Sequence, residues 1–101
     1  MFGKLKELMD AKGKMEEVKK RLESVLLTGE SMNKEVSVTV TGGRKVVKIA
    51  IHPSIFNVRE KEEIENLILI AVNHGLDQAD HLMAEEMKRI MPDIPGLGMQ
   101  K

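Results

Sequence analysis

The amino-acid sequence predicts an α+β protein, an α-β-β-β-α protomer with a three-stranded antiparallel sheet and two long helices. Apolar residues recur with a helical period near both ends of the chain. Between these ends, valine alternates with serine or threonine from Val36 to Thr41, which is typical of a half-buried strand. The Gly42-Gly43 pair follows directly, and two glycines between alternating segments favour a hairpin turn.

The first helix is predicted from Phe2 to about Ser24. Its apolar residues follow one another in steps of three and four, which forms a coiled-coil-like seam of Leu8, Ala11, Met15, Val18, Leu22 and Val25. Gly13 lies inside this helix and lowers its stability by about 1 kcal/mol relative to alanine. Lysines occupy the other sides of the helix, and their ordinary interpretation is a solvated face.

A hairpin is predicted over residues 35–51. The Gly42-Gly43 pair would supply the positive φ angles of a two-residue type I′ turn, and this turn sets the register. On the apolar face, that register pairs Val40 with Lys45, Val38 with Val47, and Val36 with Ile49. A preceding strand from Val25 to Thr28, closed by Gly29, completes the sheet. Pro53 ends the third strand because it cannot donate to a strand ladder.

The second long helix is predicted to begin at Asn57 or a turn later, near Lys61. Its apolar stripe keeps a helical period through Ile64, Leu67, Ile68, Ala71, Gly75, Leu76, Ala79, Leu82, Met83, Met87 and Ile90. Gly75 lies in this stripe, where the lack of a side chain lets another backbone come close. We expect one domain over residues 1–91 that ends with this helix, and a mobile Pro/Gly-rich tail over residues 92–101.

The two helices are longer than the strands, so each is expected to project beyond the sheet. The chain order makes the start of the first helix and the end of the second the projecting ends. The prediction places Leu5, Leu8 and Met9 near Met87, Ile90 and Met91. Only two aromatic residues, both Phe, are present, so the core of one protomer is thin and a two-fold homodimer is expected.

The amino-acid composition limits the classes of function that the protein can have. With 101 residues and no cysteine, the chain has one modest core and no thiolate chemistry, which favours a reducing compartment. Charged residues interrupt the apolar ones at the N-terminus, and no segment is long and apolar enough to span a bilayer. We therefore expect a cytoplasmic protein. The 16 basic residues equal the 16 acidic ones, so any nucleic-acid site must come from local segregation of charge.

No catalytic, metal or cofactor site is predicted. His74, Asp77 and His81 share one side of the second helix, but no thiolate or second cluster would complete a metal site, and ordinary surface polarity is the favoured interpretation. His52 beside Pro53 is interpreted as a strand-end residue. No nucleophile elbow or phosphate loop is present. The protein is therefore expected not to be an enzyme and to have no small-molecule substrate.

Several segments together carry a family resemblance. They are Met1-Phe2-Gly3, Thr28-Gly29-Glu30-Ser31, the V-x-V-x-V strand, Pro53-Ser54 and the Pro/Gly-rich tail. In these the chain resembles the YbaB/EbfC family of nucleoid-associated DNA-binding proteins. The resemblance implies the α-β-β-β-α protomer, a homodimer with projecting helices, and DNA binding without catalysis. His52 stands where the family usually has an acidic residue, and the Gly42-Gly43 turn is shorter than in many members.

The predicted DNA site is the pair of projecting helix ends. Its cations are Lys4, Lys6, Lys12, Lys14, Lys88 and Arg89. With the terminal amine and the nearby acids, they leave a net charge of about +3 per protomer. Such a site would contact phosphates of double-stranded DNA with little sequence specificity, in the cytoplasm and the nucleoid. The alternative is a helical protein–protein interaction module without direct DNA binding, in which the lysines only confer solubility.

Overall fold

The computed structural model describes the backbone of residues 2–90 and the side chains of residues 9, 10 and 12–90. The elements are α1 (Phe2–Glu23), β1 (Leu26–Glu30), β2 (Val36–Thr41), β3 (Val46–Ile51), α2 (Ile55–Val58) and α3 (Lys61–Ile90). This order confirms the predicted α-β-β-β-α fold, with one short helical turn before the long helix. The predicted mobile tail, residues 92–101, lies outside the described residues.

The core forms between the sheet and α3. The strands are antiparallel in the order β1-β2-β3, and α3 packs across β1 and β2. The alternate residues Val36, Val38 and Val40 of the central strand are 0% exposed, which confirms the predicted apolar face. Ile55 and Ala71 complete this buried cluster. A single helix, α3, therefore covers one face of the sheet over β1 and β2, and it does not cover β3.

The predicted hairpin register is wrong by two residues. The structure pairs Val36 with Ile51 and Val38 with Ile49, whereas the prediction paired Val36 with Ile49. The ladder then shifts between Thr39 and Val40, which pair with Lys48 and Val46. Val47 is consequently an extra residue in β3, which forms a bulge.

The turn explains the error. The Thr41 N–H donates to Lys45 O at 2.8 Å and the Arg44 N–H donates to Thr41 O at 2.9 Å, so three residues form the loop. The left-handed residue is Arg44, with φ 72°, and neither glycine has a φ between +20° and +160°. A three-residue loop that ends in a left-handed residue is a common alternative to the two-residue type I′ turn.

Gly42 instead meets a packing requirement. A Cβ atom there would lie 2.7 Å from Leu22 O and 3.2 Å from a terminal methyl of Leu82.

Replacing Gly42 and Gly43 together by valine is therefore expected to lower the free energy of unfolding by about 2 kcal/mol or more, or the melting temperature by roughly 10 °C. Gly98→Val, in the tail, is the control. Equal melting temperatures for the two variants would contradict this account of the turn.

β1 also differs from the predicted strand. It runs from Leu26 to Glu30, so Gly29 lies within the strand instead of closing it. Gly29 pairs with Val38 of β2. The crossing of α3 explains why this position is a glycine, because a Cβ on Gly29 would clash with Ala71 O and Gly75 N. The predicted close approach at Gly75 is thereby confirmed, and its partner is the backbone of β1.

Of the two predicted starts for the second long helix, the later one is correct. α3 begins at Lys61, where the Glu63 carboxylate accepts a hydrogen bond from the Glu60 N–H at 2.9 Å, as in a capping box. The preceding Arg59 donates to both carboxylate oxygens of Glu35, at 3.0 and 3.1 Å. These hydrogen bonds raise the pKa of Arg59, and they tie the entry to α3 onto the hairpin.

Candidate nucleic-acid interface

The structure places the predicted DNA-binding cations in two groups. Lys4 and Lys6 belong to the first turns of α1, and their side chains lie outside the described ones. Lys12 is exposed and Lys14 is partly buried on the same helix. Lys88 and Arg89 are exposed in the last turn of α3.

The two helices that carry these groups are joined near the C-terminal end of α1. Glu86 of α3 lies beside Arg21, near the C-terminal end of α1, with an oxygen–nitrogen distance of 2.6 Å. Met9 lies 12 residues before Arg21, a distance of about 18 Å along a helix, and is 64% exposed. Met9, which was predicted to lie near the end of α3, is therefore well away from this junction, because the two helices meet near the last turns of α1. Leu5, Leu8 and Met91 lie outside the described side chains.

The junction of α1 and α3 contains an ion-pair cluster that the sequence analysis did not predict. Arg21 Nη2 donates to Glu86 Oε1 at 2.6 Å, and Arg89 Nη1 donates to Glu86 Oε2 at 3.4 Å. The side chain of Glu86 is 9% exposed, whereas those of Arg21 and Arg89 are 54% and 73% exposed. We call these three residues the Arg–Glu–Arg cluster.

A signal for this cluster was present in the sequence. Glu86 lies three residues after Met83 and four before Ile90, which places a carboxylate in the apolar stripe of α3. A charged residue in such a position is buried only when it is paired, so a cationic partner should have been sought. Its identity could not be read from spacing, because Arg21 is 65 residues away in the chain.

The two end turns of α3 differ in the sign of their charges. Glu62 and Glu63 lie in its first turn, and Lys88 and Arg89 lie in its last turn. Both arrangements match the helix dipole. The helix has 30 residues and is therefore about 45 Å long. The acidic start of α3 is consequently remote from its junction with α1. Glu85 and Glu86 balance Lys88 and Arg89 near that junction, so the excess of positive charge lies on α1.

The hairpin offers a second group of exposed cations, Arg44, Lys45 and Lys48. Arg44 Nη1 donates to Asp80 Oδ1 on α3 at 2.5 Å, and both side chains are about half exposed, at 51% and 57%. Such an exposed pair is only weakly stabilising. These residues provide a comparison surface for any test of the helical one.

The two histidines of α3 do not contribute to a metal site in the described part of the chain, where no group of three or more His, Cys, Asp or Glu side chains could hold an ion. His74 Nδ1 accepts a hydrogen bond from the Glu30 N–H at 2.9 Å, and Gln78 Nε2 donates to Thr28 O at 2.6 Å. These side chains hydrogen-bond to backbone groups of β1 that have no neighbouring strand, because β1 is an edge strand. None of the described helices is long and apolar enough to cross a membrane.

His52 follows the last residue of β3, in agreement with its interpretation as a strand-end residue. Its Nδ1 accepts a hydrogen bond from the Ser54 N–H at 3.2 Å and lies 2.8 Å from the Ser54 hydroxyl oxygen. The His52 N–H donates to Glu35 O at 2.8 Å. These hydrogen bonds of His52 fix the conformation of the chain where it leaves β3.

Comparisons with known proteins identify what the chain is similar to. The model of the YbaB/EbfC DNA-binding family matches residues 1–94. A nucleoid-associated protein of Flavobacterium johnsoniae is 35% identical, over 96% of this chain and 91% of the relative. A nucleoid-associated protein of Afipia carboxidovorans is 30% identical, over 97% of this chain and 95% of the relative.

A solved structure supports the fold. The crystal structure of an uncharacterized protein from Helicobacter pylori superposes with a TM-score of 0.71, at 19% sequence identity. The match covers 82% of this chain and 96% of that one. At this level of identity, the likeness bears on the fold alone.

Proposed function

The chain belongs to the YbaB/EbfC DNA-binding family, and on that premise we propose that it is a non-enzymatic, nucleoid-associated protein of the cytoplasm that binds duplex DNA as a homodimer. The proposed contacts are phosphate contacts with little sequence specificity. The observation that carries the proposal is the family match over residues 1–94. The charge of the first 14 residues supports it, because four lysines against two acidic residues make this segment net positive in a chain of zero net charge.

The proposed contact surface is α1 together with the last turn of α3. The predicted cations on it are Lys4, Lys6, Lys12, Lys14, Lys88 and Arg89. Phosphates are recognised by charge and hydrogen-bond donors in the absence of base contacts, so binding by this surface would position the protein without reading sequence. The net charge of the chain is zero, so affinity depends on this local arrangement.

A mobility shift on duplexes of unrelated sequence at low salt tests the proposal. We expect comparable affinity for all the duplexes and a steep loss of affinity as the salt concentration rises, because counterion release dominates phosphate binding. Absence of any shift at low salt would reject DNA binding.

The homodimer is proposed from the exposed apolar surface of β3. Val46, Val47 and Ile49 are 40%, 51% and 47% exposed, although all three lie in a strand of the sheet. α3 covers β1 and β2, so this strand lacks the helical cover that its apolar residues need. A second copy that packs against β3 would bury this surface and would protect an open sheet edge.

Light scattering at micromolar concentration is expected to give twice the protomer mass of 11.3 kDa. Val47→Glu and Ile49→Glu together place charge on the proposed interface and are expected to shift the mass towards that of the monomer. Met32→Glu, at an 87% exposed position in the β1–β2 loop, is the matched control. A mass of 11.3 kDa that holds as concentration rises would contradict the dimer.

The alternative function, a helical protein–protein interaction module, also has a supporting observation. Phe56, Val58 and Leu69 are large apolar residues that are 59%, 75% and 56% exposed. Residues of this kind can dock a partner protein. If the unmodified protein forms a stable dimer but binds no DNA at any salt concentration, this alternative is favoured.

A further inference from the structure

We propose that Glu86 is a positioning residue that holds Arg21 and Arg89 side by side as a phosphate-binding pair. The inference rests on the proposed DNA binding and adds two residues, Arg21 and Glu86, to the predicted surface. It concerns the junction of α1 and α3, where the structure joins the two helices through the Arg–Glu–Arg cluster.

The first argument is geometric. Each oxygen of the Glu86 carboxylate accepts from a different guanidinium group, with Oε1 facing Arg21 and Oε2 facing Arg89. One carboxylate therefore sets the position of two cations from different helices. Beyond Glu86, neither guanidinium has a hydrogen-bond partner within the described part of the chain. Because a guanidinium group has five N–H donors, both arginines keep donors for a further ligand.

The second argument is the difference in exposure within the cluster. Glu86 is buried, with 9% of its side chain exposed, whereas Arg21 and Arg89 are 54% and 73% exposed. The carboxylate is thus on the protein side of the cluster and the two guanidinium groups face solvent. Two cations around one anion leave a net positive charge, and guanidinium groups match the geometry of phosphate oxygens.

The third argument concerns the place of the cluster in the fold. The last turn of α1 also contains Lys20, and the last turn of α3 also contains Lys88. A phosphate bound between Arg21 and Arg89 would therefore contact both helices at once. This junction lies about 14 Å along α1 from Lys12, so it would engage a different phosphate from the lysines near the start of α1.

Glu86→Gln provides a test in which charge and position predict opposite results. The substitution makes each protomer more positive by one charge, so simple electrostatic attraction predicts tighter DNA binding. The amide keeps the size of the side chain but leaves only one acceptor oxygen, so the two guanidinium groups lose their shared carboxylate. We expect affinity for random duplex DNA to fall by about fivefold, the effect of one lost net hydrogen bond.

Two substitutions of Arg21 keep the proposal testable if Glu86→Gln fails to fold. Arg21→Gln is expected to reduce the slope of log K against log salt concentration by about 0.9 for each lost phosphate contact. Arg21→Lys conserves the charge but removes the planar fork, and we expect it to lose about fivefold in affinity. Lys61→Gln is the control, because Lys61 is an exposed cation at the opposite end of α3 with a 3.9 Å pair to Glu65.

The outcomes separate this inference from the proposed function. If the unmodified protein binds DNA and Glu86→Gln binds it more tightly, or the Arg21 variants bind with unchanged affinity and salt slope, the cluster only joins the helices and the inference is overturned. If the unmodified protein shows no mobility shift at low salt, the proposed function itself fails. Weaker binding by Glu86→Gln and both Arg21 variants, with unchanged binding by Lys61→Gln, supports the inference.

Discussion

Replacing Gly29 by alanine is expected to lower the free energy of unfolding by about 3 kcal/mol or more, the largest stability effect that we expect of a single substitution. The added Cβ would clash with Ala71 O and Gly75 N, which are backbone atoms of α3. Backbone atoms in the middle of a long helix cannot rotate away as a flexible side chain can. Relief would therefore require α3 to move off the sheet and to expose the core residues beneath it.

Gly13→Ala is the matched control. Gly13 lies inside α1, and among the described residues no atom outside its chain neighbours and its own helical turn lies within 4 Å of the Cβ position there. Alanine is the better helix former, so this variant is expected to gain up to about 1 kcal/mol. Urea unfolding of both variants measures the difference. Equal midpoints for Gly29→Ala and the unmodified protein would show that α3 does not pack against β1 as closely as described.

Changing Lys4, Lys6, Lys12 and Lys14 to glutamine is expected to remove most of the affinity for duplex DNA. If all four lysines contact phosphates, the slope of log K against log salt concentration falls by about 3.6, because each contact contributes about 0.9. The effect should be the same on duplexes of unrelated sequence, because phosphate contacts do not read bases. The dimer should remain intact, since these residues are remote from β3. Mobility shifts over a range of salt concentrations, with light scattering on the same samples, measure both properties.

The control for this variant changes Arg44, Lys45 and Lys48 to glutamine. The hairpin cations are exposed, and the Arg44–Asp80 pair is exposed on both sides, so their loss should cost little stability. If the hairpin variant loses DNA binding and the helix variant keeps it, the sheet is the DNA-binding surface and the proposed helical surface is wrong. If neither variant loses binding, DNA is bound by a surface other than these two, and the proposed helical surface is wrong.

The order of the elements could be predicted from the sequence because it depends on local periodicity. The spacing of apolar residues predicted α1 and α3, and the alternation through Val36, Val38 and Val40 predicted the buried face of β2. A local pattern shows which side of an element must be buried. It does not show which residues will cover that side.

The details that failed all depend on contacts between distant segments or on a choice between two permitted turns. Two glycines are compatible with a two-residue turn, but the hairpin has a three-residue loop in which Arg44 takes the left-handed conformation. Gly29 was predicted to close a strand, yet it lies inside β1, where a glycine is required because α3 passes directly above it. Neither choice is encoded in the periodicity of the segment itself.

The sequence by itself determined which residues form the helices, which face of the central strand is buried, and that positive charge collects near the start of α1. Only the tertiary structure decided where along their lengths the two helices meet. The meeting point depends on how α3 crosses β1 at Gly29. This crossing places Glu86 beside Arg21, and it does not place the end of α3 beside Met9. The partners of a buried charge are set by this crossing, because residues 65 positions apart share no local pattern.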